Sequence, residues 1–317
     1  MLFDKTVRDE EKTTNKDRHS DLIHVPNEHA QKSKSLSAWK SEQSILILRA
    51  SGCIFQMIRL AGFNETQKAE RIREDEVMSR KNRQFTQISL FSVLLGGHYG
   101  GIVSVGEFKR IGNLAIATMD RLDGEVQMID GVVYQACADG QVYLPGDDET
   151  IPYGTIADFR AEDTVRLASI PSYEEFEARM DESCLRNDVP LAIRLTGRFD
   201  CMKVRTVRRQ EKDGVGLAEA AKDEAVFEFR DVRGDLVGFR LPGYVAGINA
   251  PGWHLHFMDE TRRHGGHVVN FALLEGDLSF CHASDYHIRL PESPDVFAGL
   301  DLNKDWSGDL KKAEAER

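Results

Sequence analysis

The sequence predicts an α+β fold built mostly from antiparallel β-sheet with a few short helices. Three observations carry this. Short segments of alternating apolar and polar residues recur through the chain from Leu114 onward, the pattern of half-buried strands. Asp123-Gly124, Asp130-Gly131 and Asp139-Gly140 separate such segments, and Asp-Gly between apolar runs is a strong hairpin signal. Helical spacing is confined to short stretches, with no internal repeat and no regular strand–helix–strand alternation, which disfavours a doubly wound sheet.

Residues 1–83 differ from the rest of the chain. The run from Met1 to Gln43 is rich in Lys, Asp, Glu, Ser and Asn and has almost no large apolar residues, so it cannot bury a core. Ile45–Leu48 and Ile54–Leu60 are apolar but short, and they lie too deep for a secretory signal. The expectation is a poorly ordered or loosely helical N-terminal extension over 1–83, with Met57 or Met78 as alternative starts, and a globular domain over 84–317. A subdivision near residue 185 is weakly marked.

Within that domain, Gln87 to Leu95 has helical spacing and stops at Gly96-Gly97, a C-terminal cap. Leu114–Met119, Val126–Ile129 and Val132–Tyr134 form an antiparallel meander after it. Ser172, with Glu175 three residues later, forms a capping box for a helix carrying Tyr173, Phe176 and Met180 on one side. Leu191–Leu195 and Phe199–Val207 flank Thr196-Gly197-Arg198, which reads as a tight connection. Gly216–Asp223 is helix-prone, and Asp235–Leu241 and Tyr286–Leu290 are strands.

Composition narrows function. A net charge of −11 argues against a nucleic-acid surface, and no apolar run approaches the roughly 18 residues of a membrane helix. The five cysteines are scattered without a Cys-x-x-Cys, so neither a disulfide framework nor a thiolate zinc site is signalled. A soluble protein of a reducing cytoplasm is expected, without nucleic-acid or membrane partners.

Chemistry concentrates at Trp253-His254-Leu255-His256-Phe257-Met258 and, after a charged loop, Gly265-Gly266-His267. Strand alternation sends Trp253, Leu255 and Phe257 to one face and His254 and His256 to the other. His267 opens the returning strand, so three imidazoles can meet at the base of one hairpin. Two histidines at i, i+2 also occur in ordinary sheets, and the spacing alone leaves both readings open. If a metal binds, three protein ligands leave an open position, the catalytic arrangement. His264 sits in the loop, and His282 and His287 read as surface or packing residues. Glu125 begins a strand just after a turn, where a carboxylate usually faces solvent. Arg205 lies in a segment apolar on both faces, so it either snorkels outward or is held inward to meet an anion.

Taken together, these residues resemble the α-acetolactate decarboxylase family from about Gln84 onward. The matching motifs are Leu122-Asp123-Gly124-Glu125, Ala192-Ile193-Arg194 with Val204-Arg205-Thr206-Val207, Val232-Arg233-Gly234 with Val237-Gly238-Phe239, and Gly252-x-His254-Leu255-His256-Phe257-x-Asp259-Glu260 with Gly265-Gly266-His267. The resemblance implies two mixed, mostly antiparallel β-sheet subdomains and a homodimer. It implies a metal-dependent enzyme, usually described with zinc, that forms acetoin and carbon dioxide from 2-acetolactate, on the route to acetoin and butanediol. By position, His254, His256 and His267 would be metal ligands, Glu125 the active-site carboxylate and Arg205 the active-site cation. A C-terminal glutamate is also expected near the metal, with Glu314 the first choice and Glu316 the second. The extension before Gln84 is longer than the family pattern.

The residues suit that chemistry. Loss of carbon dioxide leaves electron density that must move onto the ketone oxygen as an enediolate, which a Lewis-acidic metal can stabilise. Arg205 would bind the departing carboxylate or the developing oxyanion, and a glutamate would handle the proton that ends on carbon. Two other readings stand beside this one. A cupin-like dioxygenase or isomerase would recruit Asp259 or Glu260 to the histidines, and a non-enzymatic metal- or ligand-binding domain would leave Glu125 and Arg205 without a reason.

Overall fold

The computed structural model describes residues 83–183, 186–297, 299–301 and 304–314, the last four by backbone only. The chain divides into two units, Met1–Asn64 and Glu65–Arg317, and the described residues all belong to the second. The expected extension over 1–83 therefore lies outside them, apart from Arg83.

In chain order the elements begin with β1 (Gln84–Ile88), α1 (Phe91–Leu95), β2 (Val103–Ser104), α2 (Val105–Ile111), β3 (Leu114–Thr118), β4 (Glu125–Ile129), β5 (Val132–Ala136), β6 (Val142–Tyr143), β7 (Thr150–Ile151) and β8 (Tyr153–Ala157). They continue with β9 (Asp163–Leu167), α3 (Tyr173–Glu182), β10 (Leu191–Val207), α4 (Leu217–Ala220), β11 (Glu224–Leu241), β12 (Gly252–Asp259), β13 (Gly265–His282), β14 (Asp285–Arg289) and α5 (Ser307–Glu314).

Two sheets hold most of these strands. The first runs β14-β1-β8-β3-β4-β5-β6 and is mixed, because β14 lies parallel to β1 and its other pairs are antiparallel. The second runs β10-β11-β12-β13-β9 and is antiparallel throughout. Its β10 pairs on one edge with β11 and on the other with β13, so β10 to β13 close into a ring. Closure leaves these strands no open edge in the paired stretches. Each sheet draws strands from both sides of residue 185, since β9 belongs to the second sheet and β14 to the first.

The cores follow from strand alternation. Inside the ring pack Leu195, Phe199, Leu255, Phe257, Phe271 and Leu273, with Phe176 of α3 and Trp253 at one end. Ser172 accepts a hydrogen bond from the Glu175 amide (3.1 Å) to start α3, and Tyr173, Phe176 and Met180 are buried, as the capping box predicts. The ring's outer face meets the first sheet through Val237, Phe239 and Met258 against Phe85, Leu114 and Ile129. Across the first sheet, Phe108 of α2 covers Ala115, Val126 and Ile156.

Two expectations are corrected. Gln87 and Ile88, expected at the start of the helix, end the buried strand Gln84–Ile88, and only Phe91–Leu95 is helical before the Gly96 cap. Pairing with β8 and β14 on both edges outweighs the local spacing, and Ser89 at φ 62° separates strand from helix. Thr196-Gly197-Arg198 is not a turn. It lies within the continuous β10, where Gly197 faces Gly234 on one neighbour and Gly276 on the other. A Cβ on Gly197 would sit 2.7 Å from the Glu275 carbonyl oxygen, so these glycines allow close strand approach instead of a reversal.

Asp235 of β11 anchors a charged cluster within the ring, and its partner Arg194 links that cluster to the first sheet. Asp235 accepts from Arg194 Nε (3.0 Å), Thr196 Oγ1 (2.7 Å) and Arg262 Nη2 (2.6 Å), while Arg194 also reaches Asp130 in the β4–β5 turn (2.9 Å). Burial pushes the Asp235 carboxyl up, but the bonds from Thr196, Arg194 and Arg262 outweigh it and hold the group below the usual carboxylate range. A depressed pKa adds stability above the unfolded value of about 3.9 and loses it as pH falls through the folded value. Asp235→Asn is expected to cost about 2 kcal/mol near neutral pH, the scale of hydrogen bonds to a charged group. Thermal melts across pH should show that deficit shrinking below about pH 4, where the carboxyl begins to protonate in the unfolded chain, and closing once pH falls past the lower folded value.

Candidate metal centre

The three histidines meet through register. β12 places Trp253, Leu255 and Phe257 in the ring core and turns His254 and His256 toward the first sheet. His256 lies opposite His267 in the β12–β13 pair, and the loop between the strands spans only residues 260–264. The ring centroids are 4.9 to 5.5 Å apart, and one nitrogen from each histidine lies within 4.8 Å of the others. His254 Nε2 is 3.1 Å from His267 Nδ1. That is close to the roughly 3.3 Å between two nitrogens on a tetrahedral zinc with bonds of about 2.0–2.1 Å. The donor set fits a divalent metal.

His256 is also oriented from behind. Its Nδ1 lies 2.9 Å from the carbonyl oxygen of Val126 in β4. A carbonyl only accepts, so Nδ1 carries the proton and Nε2 presents its lone pair. Fixing the tautomer through the far nitrogen is the usual support for a metal-binding imidazole. His256 and His267 are buried and His254 is half-buried.

Glu125 and Arg205 arrive from different strands. Glu125 opens β4 after Gly124, whose φ of 90° aims the chain inward, and its Oε2 lies 3.6 Å from His256 Nε2. It faces the site rather than bulk solvent. In β10, Leu191, Ile193 and Leu195 enter the ring core, yet beyond Asp200 the core residues are Met202 and Val204. Register shifts against β13 accompany this change of phase. Arg205 consequently points away from the core, opposite His267 in the β10–β13 pair, with 7% of its surface exposed. It is held inward, and its Nη1 donates to Glu224 Oε2 at 2.9 Å.

These groups line one cavity, with Thr118 and an apolar wall that includes Phe91, Leu122, Tyr153 and Val207. Sequence reading missed Glu224 and the Val126 carbonyl. The β10–β11 register sets Glu224 opposite Val207, but nothing local to Glu224 announces that pairing.

Other candidates lie elsewhere. Asp259 accepts from the amides of Arg263 (2.8 Å) and His264 (3.1 Å), and His264 Nδ1 is 3.1 Å from the same carboxylate, so both serve the hairpin loop. Glu260 lines a separate surface depression with Arg166 and Arg233. Neither acid joins the histidines as a cupin-like site requires. His282 lies 2.9 Å from Glu162, and burial, then Arg186 and Arg83, push its pKa down. The backbone of α5 ends at Glu314, but that side chain and the whole of Glu316 lie outside the described residues.

Comparison with known proteins identifies the family. The family described as Alpha-acetolactate decarboxylase matches residues 85–304. A protein of Methanosarcina mazei named Alpha-acetolactate decarboxylase is 39% identical over 228 residues, covering 72% of this chain and 79% of its own. One of the same name from Bacillus subtilis is 34% identical over 245 residues, covering 75% and 96% respectively. The crystal structure of alpha-acetolactate decarboxylase from Bacillus subtilis strain 168 superposes with a TM-score of 0.70 at 33% identity, over 73% of this chain and 99% of that one.

His256→Ala removes one imidazole and the contact to Val126. It is expected to weaken metal binding more than the about 10–100-fold typical of losing a supporting group. Metal content after dialysis against a chelator, with circular dichroism to verify the fold, checks this.

Proposed function

The chain belongs to the alpha-acetolactate decarboxylase family and is an enzyme of that type, and we propose that its three-histidine cavity converts 2-acetolactate to acetoin and carbon dioxide with Zn²⁺ bound by His254, His256 and His267. The observation that carries this is the convergence of the imidazoles, Glu125 and Arg205 on one cavity. Three imidazoles suit zinc and leave room for substrate oxygens. Lewis acidity toward the oxygen that gains negative charge is the chemistry the ion supplies when bound.

The chain's own groups divide the remaining work. Arg205 is the cation that receives the substrate carboxylate, its planar guanidinium matching that group. Phe91, Leu122, Tyr153 and Val207 exclude water, and an apolar wall favours neutral carbon dioxide over the carboxylate it comes from. Glu125, beside His256, is the group placed to carry the proton to carbon. Glu314 or Glu316 would add a second carboxylate. A cytoplasmic homodimer without nucleic-acid or membrane partners is part of the same proposal, supported by family membership and the net charge of −11.

The test is acetoin formation from racemic acetolactate by zinc-loaded protein, measured against the spontaneous rate. A rate no faster than that background would overturn the assignment. Arg205→Ala is expected to keep its zinc and lose about 100-fold or more in kcat/KM, the scale of removing one charge-stabilising donor. If the zinc is lost as well, Arg205 is structural.

A further inference from the structure

Glu224 has no place in the reaction as described, yet it is buried against the one arginine that does. Its side chain is 8% exposed and that of Arg205 9%, and they meet at 2.9 Å where β11 begins. Arg205 lines the cavity, and Glu224 is not among the lining residues.

A decarboxylase has a particular difficulty with such a cation. The substrate carboxylate is charged before reaction and leaves as neutral carbon dioxide, while the charge moves to the ketone oxygen. A fully positive guanidinium on the carboxylate holds the ground state more tightly than the transition state, which lowers KM without raising kcat. A buried counter-charge paired with the guanidinium weakens that grip. It also fixes the orientation of the planar group.

We propose that Glu224 is a positioning residue that tempers the charge of Arg205, so that the carboxylate is oriented but not over-stabilised. This rests on the reading of Arg205 as the carboxylate's partner. In holoenzyme, Glu224→Gln keeps the shape and removes the charge. KM for acetolactate and kcat are then expected to fall together, by about 5–10-fold for a partly screened charge, with kcat/KM little changed. Affinity for 2-hydroxy-2-methylpropanoate, which has the hydroxy acid but no ketone and cannot react, should rise by about the same factor. Glu224→Asp draws the carboxylate back by one methylene and should shift each quantity in the same direction by about twofold. It keeps the test alive if the Gln variant fails to fold.

Weaker binding of the unreactive acid in these variants, or a lowered melting temperature with KM and kcat unchanged, overturns the inference and leaves Glu224 a structural partner. Arg205→Ala separates the two claims. If it binds the unreactive acid as wild type does, the reading of Arg205 itself fails, and the role of Glu224 with it. If it loses that binding while Glu224→Gln changes nothing, only the tempering role is refuted.

Discussion

The site depends on one constraint, the pairing of β10 with β11 along one edge and with β13 along the other. That closure sets Arg205 opposite His267 and Glu224 one strand further on. β12 then fills the remaining place in the ring, between β11 and the start of β13, which brings His256 opposite His267. Because side chains alternate with period two, a slip of one residue in any of these pairs would turn a site residue into the ring core. The Gly197, Gly234 and Gly276 contacts let the strands approach closely enough to hold that register.

The ring and the first sheet share the work differently. The ring carries the histidines and Arg205, while the first sheet contributes Glu125, the Val126 carbonyl and part of the apolar wall. The interface between them is therefore part of the chemistry. Asp235, held by Arg194, Thr196 and Arg262, sits on the strand next to the histidines, and Arg194 carries the link on to the β4–β5 turn. A buried polar cluster adds a second tie, in which Tyr153 of the cavity wall donates to Asn249 (2.6 Å) and Asn249 donates to Thr155 (2.8 Å). Such groups are costly to bury unless satisfied, so they specify how the two sheets meet.

Electrostatically the site is an enclosed set of opposed charges. Arg205 and Glu224 nearly exclude water, and Glu125 is also mostly covered. At such burial each charge acts with less screening than on the surface, which makes the placement of a counter-charge a matter of function as well as stability.

Much of this was legible in sequence because it is local. Alternation in Trp253–Met258 assigns the histidine face, Asp130-Gly131 marks a hairpin, and Ser172 with Glu175 starts a helix. The α+β class and the three imidazoles at one hairpin follow from patterns a few residues long, with motif resemblance supplying Glu125 and Arg205. Tertiary structure decided what depends on partners distant in the chain. Gln84–Ile88 became a strand because two others pair with it, and Thr196-Gly197-Arg198 ran straight because β11 and β13 lie on both sides. Arg205 turned inward through a change of strand phase near Asp200, and Glu224 met it through a register that no local pattern encodes. Short-range periodicity determines which face a residue takes within an element, whereas long-range pairing determines what that face meets.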